Sequence, residues 1–495
     1  MRGFFSSLYS AAGLFLLVLL AARLTFIQQI GLELSPDEAY YWDWSRTLAW
    51  GYYSKPPLVA WLIHLFTLKL GHTEYAIRVP AALCHTLYLA LVYYLGQRLF
   101  DRKVGLWAAL AAAAGPLSAI YGFVMTIDPP LFALWAAALC LAWQACETQK
   151  TLDFFKLGLI LGLGLLTKQT MIAFVPLFWL WLYFSPERRP LLHNFRPYLA
   201  LLVGFLILLP NLWWNASHGW VTFRHTEEHF RQEGFFWWGP FRFFLEQAGV
   251  ITPLIFALLL YVFYLFLKRP RLRHNEKLLF LFVFSALPLG LVLPLSFLRK
   301  VNANWPYPFY ASGFVLLSAL ILRGKWPDKR GLFLRKLFLV GVFLGIFLMV
   351  AVYQLPRTPE KFPPEVQRLL YKFSGWKELA SWVSSHRKRE IIITIRRDYA
   401  SEMAFYLPER PRPYTFREGR PHNQYDLWDG LSEKVGENAL LLLKNHRQAN
   451  RYSVCFENIE YLGKWEKEIY GKKRKILLFY GRKLKNCPYL GSKDG

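Results

Sequence analysis

The sequence predicts a polytopic α-helical membrane protein of about eleven transmembrane helices over residues 1–355, followed by a small α/β domain over 356–495. Three observations carry that reading. Apolar stretches of roughly 18 residues or more, the length needed to cross a bilayer, recur along the first part of the chain. Lys and Arg collect in alternate loops between those stretches, the asymmetry expected of cytoplasmic loops. From about Pro356 the pattern changes to short apolar runs separated by amphipathic helical periodicity. A composition of 55% hydrophobic and 18% aromatic residues suits helices that satisfy their own backbone groups within lipid.

The apolar runs fall near 8–30, 78–98, 104–123, 129–147, 156–167, 170–184, 198–214, 241–267, 277–298, 307–323 and 334–355. The first has only Arg2 ahead of it and no small-residue cleavage site after it, so it reads as a retained helix rather than a signal peptide. The fifth and sixth are short and flank a Thr-Lys-Gln break, and Gly158, Gly162 and Gly164 in the fifth allow a neighbouring helix to approach closely. Residues 31–77 are too long for a turn and contain an amphipathic stretch, Leu58 to Leu70, suited to lying at an interface. In the terminal domain, strands are expected at Glu390–Ile395, Ala439–Leu443 and Lys475–Tyr480, with helices at Trp376–His386 and Tyr399–Leu407.

Charge sets the orientation. Basic loops at Arg98–Lys103, Arg188–Arg189, Lys268–Arg273 and Arg323–Arg330 mark the cytoplasmic side, which places the N-terminus inside and the terminal domain outside, in the periplasm of a bacterial inner membrane. The net charge of +26 is largely this loop bias, with the rest in clusters such as Lys472-Lys473-Arg474-Lys475, suited to anionic headgroups. No aromatic-basic module points to nucleic acid. Cys84, Cys140 and Cys146 fall in apolar runs and read as packing residues, whereas Cys455 and Cys487 pair if their domain is extracytoplasmic.

The chemistry-bearing residues gather on the outer side. Ser35-Pro36-Asp37-Glu38 follows the first helix among aromatics that include Tyr41. It matches a capping box, with Ser at N-cap, Pro at N1 and Glu at N3. That employs Glu38 and leaves Asp37 available as a general base on a hydroxyl. Asp128, in Met-Thr-Ile-Asp-Pro-Pro, is either a helix cap or a second functional carboxylate, and the roles are compatible. Lys55, before two prolines, and Lys168, between the two short helices, either snorkel toward lipid phosphates or bind a phosphate leaving group. The stretch Trp213–Trp220 leads to His225, His229 and Arg231, too loosely spaced for a metal site, and Trp305 in Asn-Ala-Asn-Trp-Pro is placed to stack on a sugar.

In this order, Asp37-Glu38, Lys55-Pro56-Pro57, Asp128-Pro129 and Leu166-Thr167-Lys168 resemble the C-type glycosyltransferases, membrane enzymes that use polyprenyl-phosphate sugars. The chain is most similar to the bacterial clan of protein O-mannosyltransferases, lipid A aminoarabinose transferases and lipopolysaccharide-core galacturonosyltransferases. The Trp213–Trp220 stretch, Asn304-Trp305-Pro306 and the segments 402–407 and 424–428 add to the likeness. The resemblance implies transfer of a sugar, with inversion, from a polyprenyl phosphate to a lipid A, core-oligosaccharide, other lipid or protein hydroxyl. It implies Asp37 as catalytic base, Asp128 sharing that role or positioning the acceptor, and Glu38 in support. Lys55 and Lys168 are implied at the departing phosphate, joined by Arg231 and His229, with Tyr41 and Trp305 on the substrates. Where aminoarabinose transferases have an acidic residue before the Lys-Pro pair, this chain has Ser54. No cofactor and no metal ligand are therefore assigned, with a divalent cation left open.

The rival reading is a transporter or flippase of lipid-linked sugars. Transporters place charges near the bilayer midplane and are built from repeated halves. This chain puts its carboxylates at helix ends and has no evident repeat.

Overall fold

The computed structural model describes residues 11–228, 231, 234–324, 326–428 and 430–490. The chain folds into two compact units, one built from Met1–Gln29, Arg78–Trp220 and Thr226–Gln354, the other from Ile30–Ile77, Val221–His225 and Leu355–Gly495.

The first unit is helical. Ala11–Gln29, Glu74–Leu99, Asp128–Thr148, Phe195–Ser217, Glu276–Leu298 and Lys329–Gln354 are each long and apolar enough to span a membrane. A seventh span is formed if Gly239–Ile251 and Pro253–Lys268 count as one, although they meet at a bend of 115°. The sequence predicts one continuous helix over 241–267. It breaks at Thr252, which sits at φ 79 ahead of Pro253 and caps the second piece by accepting a hydrogen bond from the Ile255 N–H. The predicted run 104–123 is likewise two pieces, Arg102–Ala113 and Pro116–Tyr121, parted just before Pro116. The fifth and sixth runs part at Thr167-Lys168 as their sequence implies: Thr151–Leu165 ends there, and a 3-10 turn, Gln169–Ala173, leads into Phe174–Phe184.

Two of the three glycines in Thr151–Leu165 mark a close helix–helix contact. A Cβ on Gly158 would stand 2.6 Å from the Ala200 carbonyl oxygen, and one on Gly162 would stand 2.6 Å from the Ile207 Cβ. The side-chain-free surface lets Phe195–Ser217 approach at backbone distance. Gly164 serves otherwise, facing the Met171 side chain across the break.

The second unit carries a five-stranded sheet in the order β2-β1-β3-β5-β4, where β1 is Ile391–Thr394, β2 Tyr414–Thr415, β3 Ala439–Leu443, β4 Phe456–Ile469 and β5 Lys472–Leu484. β1 pairs in parallel with β2 and β3, and β5 is antiparallel to β3 and β4. Central β3 reads Ala-Leu-Leu-Leu-Leu because both faces are covered. Leu440 and Leu442 pack with the helix Trp376–Ser385, and Leu441 and Leu443 pack with Phe456 and Phe479 on the other face. β4 is a strand that the sequence pattern hides, since its polar residues mark an exposed edge. It joins β5 through Tyr470-Gly471, both at positive φ, the geometry of a two-residue hairpin turn. A disulfide joins Cys455 to Cys487.

Segment 30–77 belongs to this second unit because its polar groups are satisfied there. Tyr53 N–H donates to the Gln424 side-chain carbonyl at 2.7 Å, and the Tyr425 hydroxyl donates to the buried Asp43 at 2.8 Å. The stretch Leu58–Leu70 is a helix with Val59, Ala60 and Ile63 buried and Leu65 and Leu68 exposed.

Candidate active site

In the second unit the site begins with the helix Pro36–Ser45. Its start is the capping box the sequence predicts. The Ser35 Oγ accepts from the Glu38 N–H, and the Glu38 carboxylate accepts from the Ser35 N–H at 2.9 Å. Glu38 is fully buried by this duty. Asp37, one position earlier, points elsewhere: its side chain is 50% exposed, and the Arg397 guanidinium donates to its Oδ1 at 3.0 Å. Arg397 is in turn laid over the Tyr40 ring, 5.0 Å from the centroid.

Asp37 lines a cavity of about 570 Å³ whose other charges are mainly positive: Lys372, Arg396, Arg397, Lys472 and Arg474, against Asp398. Arg474 forms a fixed part of the wall. It donates to the carbonyls of Ser374 and Tyr371 at 2.7 and 2.8 Å and lies over Trp376 at 3.6 Å. The cluster around Lys472 and Arg474, read from sequence as facing lipid headgroups, therefore contributes two residues to this cavity. Strand alternation explains the division, since Lys473 and Lys475 are exposed while Arg474 is buried.

Of the other expected residues in this unit, Tyr41 is buried against Trp44, with ring centroids 5.0 Å apart. Lys55 is half-buried in the turn before Pro56-Pro57, where its carbonyl accepts from the Tyr52 N–H.

Sequence reasoning counted Glu402 only within the 402–407 likeness and gave it no role. This residue lies on the helix Arg397–Tyr406, which is fastened to the Asp37 segment by a hydrogen bond from the Ser401 hydroxyl to the Pro36 carbonyl. It is fully buried, and neither carboxyl oxygen has a hydrogen-bond partner among the described residues. Burial pushes its carboxyl well above the usual carboxylate range; Arg474 opposes this, while Glu33, Glu38 and Asp398 add to it. Burial thus favours the neutral form of Glu402 in the fold. Because its folded pKa is raised, its stabilising contribution is complete below the ordinary value of 4.5 and is lost as pH rises through the raised one. Thermal unfolding of the purified protein followed between about pH 5 and 8 should show wild-type stability falling, and Glu402→Gln should flatten that fall. An unchanged slope in the variant would assign the pH dependence to another group.

The first unit holds a second constellation around Asp128. The sequence left this residue as a cap or a functional carboxylate, and the geometry answers the first part. Ile127 is the N-cap, and Asp128 is the first helical residue of Asp128–Thr148. Its side chain makes no capping bond. Its Oδ1 accepts from Lys168 Nζ at 2.8 Å, and its Oδ2 accepts from Asn304 Nδ2 at 2.9 Å and the Tyr121 hydroxyl at 3.0 Å. Three separate segments thereby converge on one carboxylate that is 4% exposed. The break at Thr167-Lys168 makes this possible, because the extended backbone of Lys168 releases its side chain from the helical path.

Trp305 neighbours Asn304 in the same loop and is half-buried, with the Arg299 guanidinium 5.5 Å from its ring. Arg231 is paired at 3.5 Å with Glu227 on an open surface, both side chains about two-thirds exposed, and does not touch the Asp128 set. His229 lies outside the described residues. Among the described residues, no group of three or more His, Cys, Asp or Glu converges as a metal set.

Residues 54–214 match the family model of dolichyl-phosphate-mannose-protein mannosyltransferases. The fold matches that of ArnT from Cupriavidus metallidurans bound to undecaprenyl phosphate, with a TM-score of 0.67 over 95% of this chain and 98% of that one, at 15% identity. An oligosaccharyltransferase from Archaeoglobus fulgidus aligns at 0.52, covering 92% of this chain and 72% of its own at 12% identity. The lipid A galacturonosyltransferase RgtD of Rhizobium johnstonii is 27% identical over 453 residues, spanning 90% of this chain and 92% of its own. The chain has the fold of these membrane enzymes and is similar in sequence to polyprenyl-phosphate-sugar transferases. An undecaprenyl phosphate-aminoarabinose arabinosyl transferase from Pseudomonas paraeruginosa is 28% identical over 77% of this chain and 72% of its own. Both constellations thus lie in a multi-pass membrane protein.

Proposed function

We propose that this protein is a glycosyltransferase that moves one sugar from a polyprenyl phosphate to a hydroxyl of lipid A or its core oligosaccharide, at the periplasmic face of a bacterial inner membrane. The N-terminus is cytoplasmic, and the unit containing the sheet is periplasmic, consistent with the basic loops at the opposite helix ends. The observation that carries the reading is Asp37, a half-exposed carboxylate oriented by Arg397 on the wall of a cationic cavity. RgtD is named for transfer to lipid A, and ArnT has been seen with undecaprenyl phosphate.

In the reaction, Asp37 accepts the proton of the acceptor hydroxyl while that oxygen attacks the anomeric carbon from the face opposite the phosphate. The bond from carbon to phosphate oxygen breaks, and the carrier leaves as its phosphate monoester. Negative charge grows on that oxygen, where a fixed cation stabilises the transition state. Lys55 is assigned to it. Lys168 and Asp128 form a mutually neutralised pair and are assigned to positioning. The cations of the Asp37 cavity suit an acceptor that itself carries phosphate or carboxylate groups. A divalent cation is not required by this scheme.

Incubating the purified protein with radiolabelled undecaprenyl-phosphate sugar and lipid A should move label into the acceptor. A flippase would instead move the intact donor across a vesicle without forming a new glycosidic bond. Lys55→Ala should raise the KM for donor about tenfold or more, as loss of a hydrogen bond to a charged group does, and leave the KM for acceptor within about twofold. An unchanged donor KM would count against the phosphate role.

A further inference from the structure

At the end of the helical unit remote from Asp128 there is a second cavity, of about 940 Å³, among the ends of Glu74–Leu99, Pro253–Lys268, Glu276–Leu298 and Tyr310–Arg323. Its position follows from two threads. Asn304 reaches Asp128 just ahead of the helix Tyr310–Arg323, and Arg323 at that helix's far end lines the cavity. The helix that Asp128 opens ends near Cys146, whose carbonyl accepts from Arg188; Arg188 also pairs with Glu276, next to Lys277 of the cavity wall.

The wall is unusually one-signed. Lys268, Arg269, Arg271, Lys277 and Arg323 line it, and among the described residues no acidic side chain does. Among the described residues, Asp101, paired with Arg323 at 2.7 Å, is the one carboxylate that reaches any of the five. Aromatic rings hold two of the others in place. The Arg269 guanidinium stands 5.4 Å from the Trp326 ring, and Lys277 Nζ stands 5.8 Å from Phe100. Trp326 is itself fixed by donating to the Leu320 carbonyl at 2.9 Å.

Cations that serve only to orient a membrane protein can radiate into water. Here, although each is exposed, five of them line one concavity at the ends of apolar helices, so an anion seated in it would meet several cations at once. We infer that this cavity binds the headgroup of an anionic phospholipid, and the four cations beyond the Arg323–Asp101 pair suit one carrying two phosphates. Basic pockets between transmembrane helices recognise such headgroups in this way. The site is separate from the catalytic constellations and does not depend on the proposed reaction.

The test uses the full-length protein in detergent, titrated with cardiolipin, with phosphatidylcholine and with inorganic phosphate, and read by native mass spectrometry and thermal unfolding. Cardiolipin should bind at one site and raise the Tm, as any ligand of the folded state does. Phosphatidylcholine should not bind there. The variant Lys268→Gln/Arg271→Gln/Lys277→Gln should weaken cardiolipin binding about 100-fold. A control, Arg102→Gln/Lys103→Gln/Arg189→Gln, removes as many charges outside the cavity and should change binding less than about threefold. Equal losses in the two variants would reduce the effect to net charge and overturn the site. Saturation by inorganic phosphate at the same concentration would make it a free-phosphate site, and displacement of cardiolipin by polyglutamate would point to an acidic polypeptide; either overturns the lipid assignment.

Discussion

Asp37→Asn should lower sugar transfer by about 10²–10⁴-fold, the range a positioned general base contributes, without loss of fold. The geometry separates the two effects. Arg397 donates to one oxygen of Asp37, and an asparagine can offer a carbonyl oxygen at that place. The capping box that starts the helix uses Ser35 and Glu38 and is untouched by the change. What the amide loses is the ability to accept the acceptor's proton. The variant should therefore show wild-type thermal unfolding and donor binding, with the deficit in kcat alone. Near-normal turnover would sink the base assignment. Arg397→Gln is the companion measurement: it keeps the carboxylate but frees its orientation, so turnover should fall less than in Asp37→Asn. If the two variants lost equal activity, the pair would act as a unit.

The division between Asp37 and Glu38 was legible in the sequence because a capping box assigns its residues by spacing, and the structure spends Glu38 as that motif requires. The order of helices was legible for a similar reason, since bilayer length and loop charge are strong signals. What surrounds Asp37 was not. Lys372, Arg396, Arg397, Lys472 and Arg474 come from three distant stretches of chain, and local periodicity says nothing about which of them meet. The run Arg396-Arg397-Asp398 at a helix start was the available hint. Glu402 was hidden more deeply: on a helix with Glu and Asp nearby it reads as a solvated face, and only the packing of Arg397–Tyr406 on Pro36–Ser45 buries it. The long edge strand β4 escaped because its exposed polar residues blur the period-two pattern. The bend at Thr252 follows from backbone dihedrals that apolar content does not report.

Asp128→Ala should be the most damaging single change to stability, costing about 3–5 kcal/mol, the range for breaking a buried ion pair from one side. Lys168 is 12% exposed and Asp128 6% exposed in their side chains, so the ammonium left behind has little water to turn to. Asn304 and Tyr121 lose their acceptor as well. This cost separates structural from chemical roles at Asp128. Replacing both charges, as in Asp128→Asn/Lys168→Met, removes the stranded cation and keeps an amide oxygen for Asn304 and Tyr121. Removing both members of such a pair is often close to neutral where removing one is not. The double variant should therefore recover most of the Tm lost in Asp128→Ala, and its activity becomes the informative quantity. With the fold restored, a persistent loss in kcat would place Asp128 or Lys168 at the reacting groups. Recovery of kcat together with Tm would confine the pair to holding Pro116–Tyr121, the Thr167-Lys168 break and the Asn304 loop around one point. We expect recovery of stability with partial recovery of kcat, because Asp37 retains the proton transfer and Lys55 the departing phosphate. A double variant as unstable as Asp128→Ala would show that the charge itself, rather than its balance, holds these segments together.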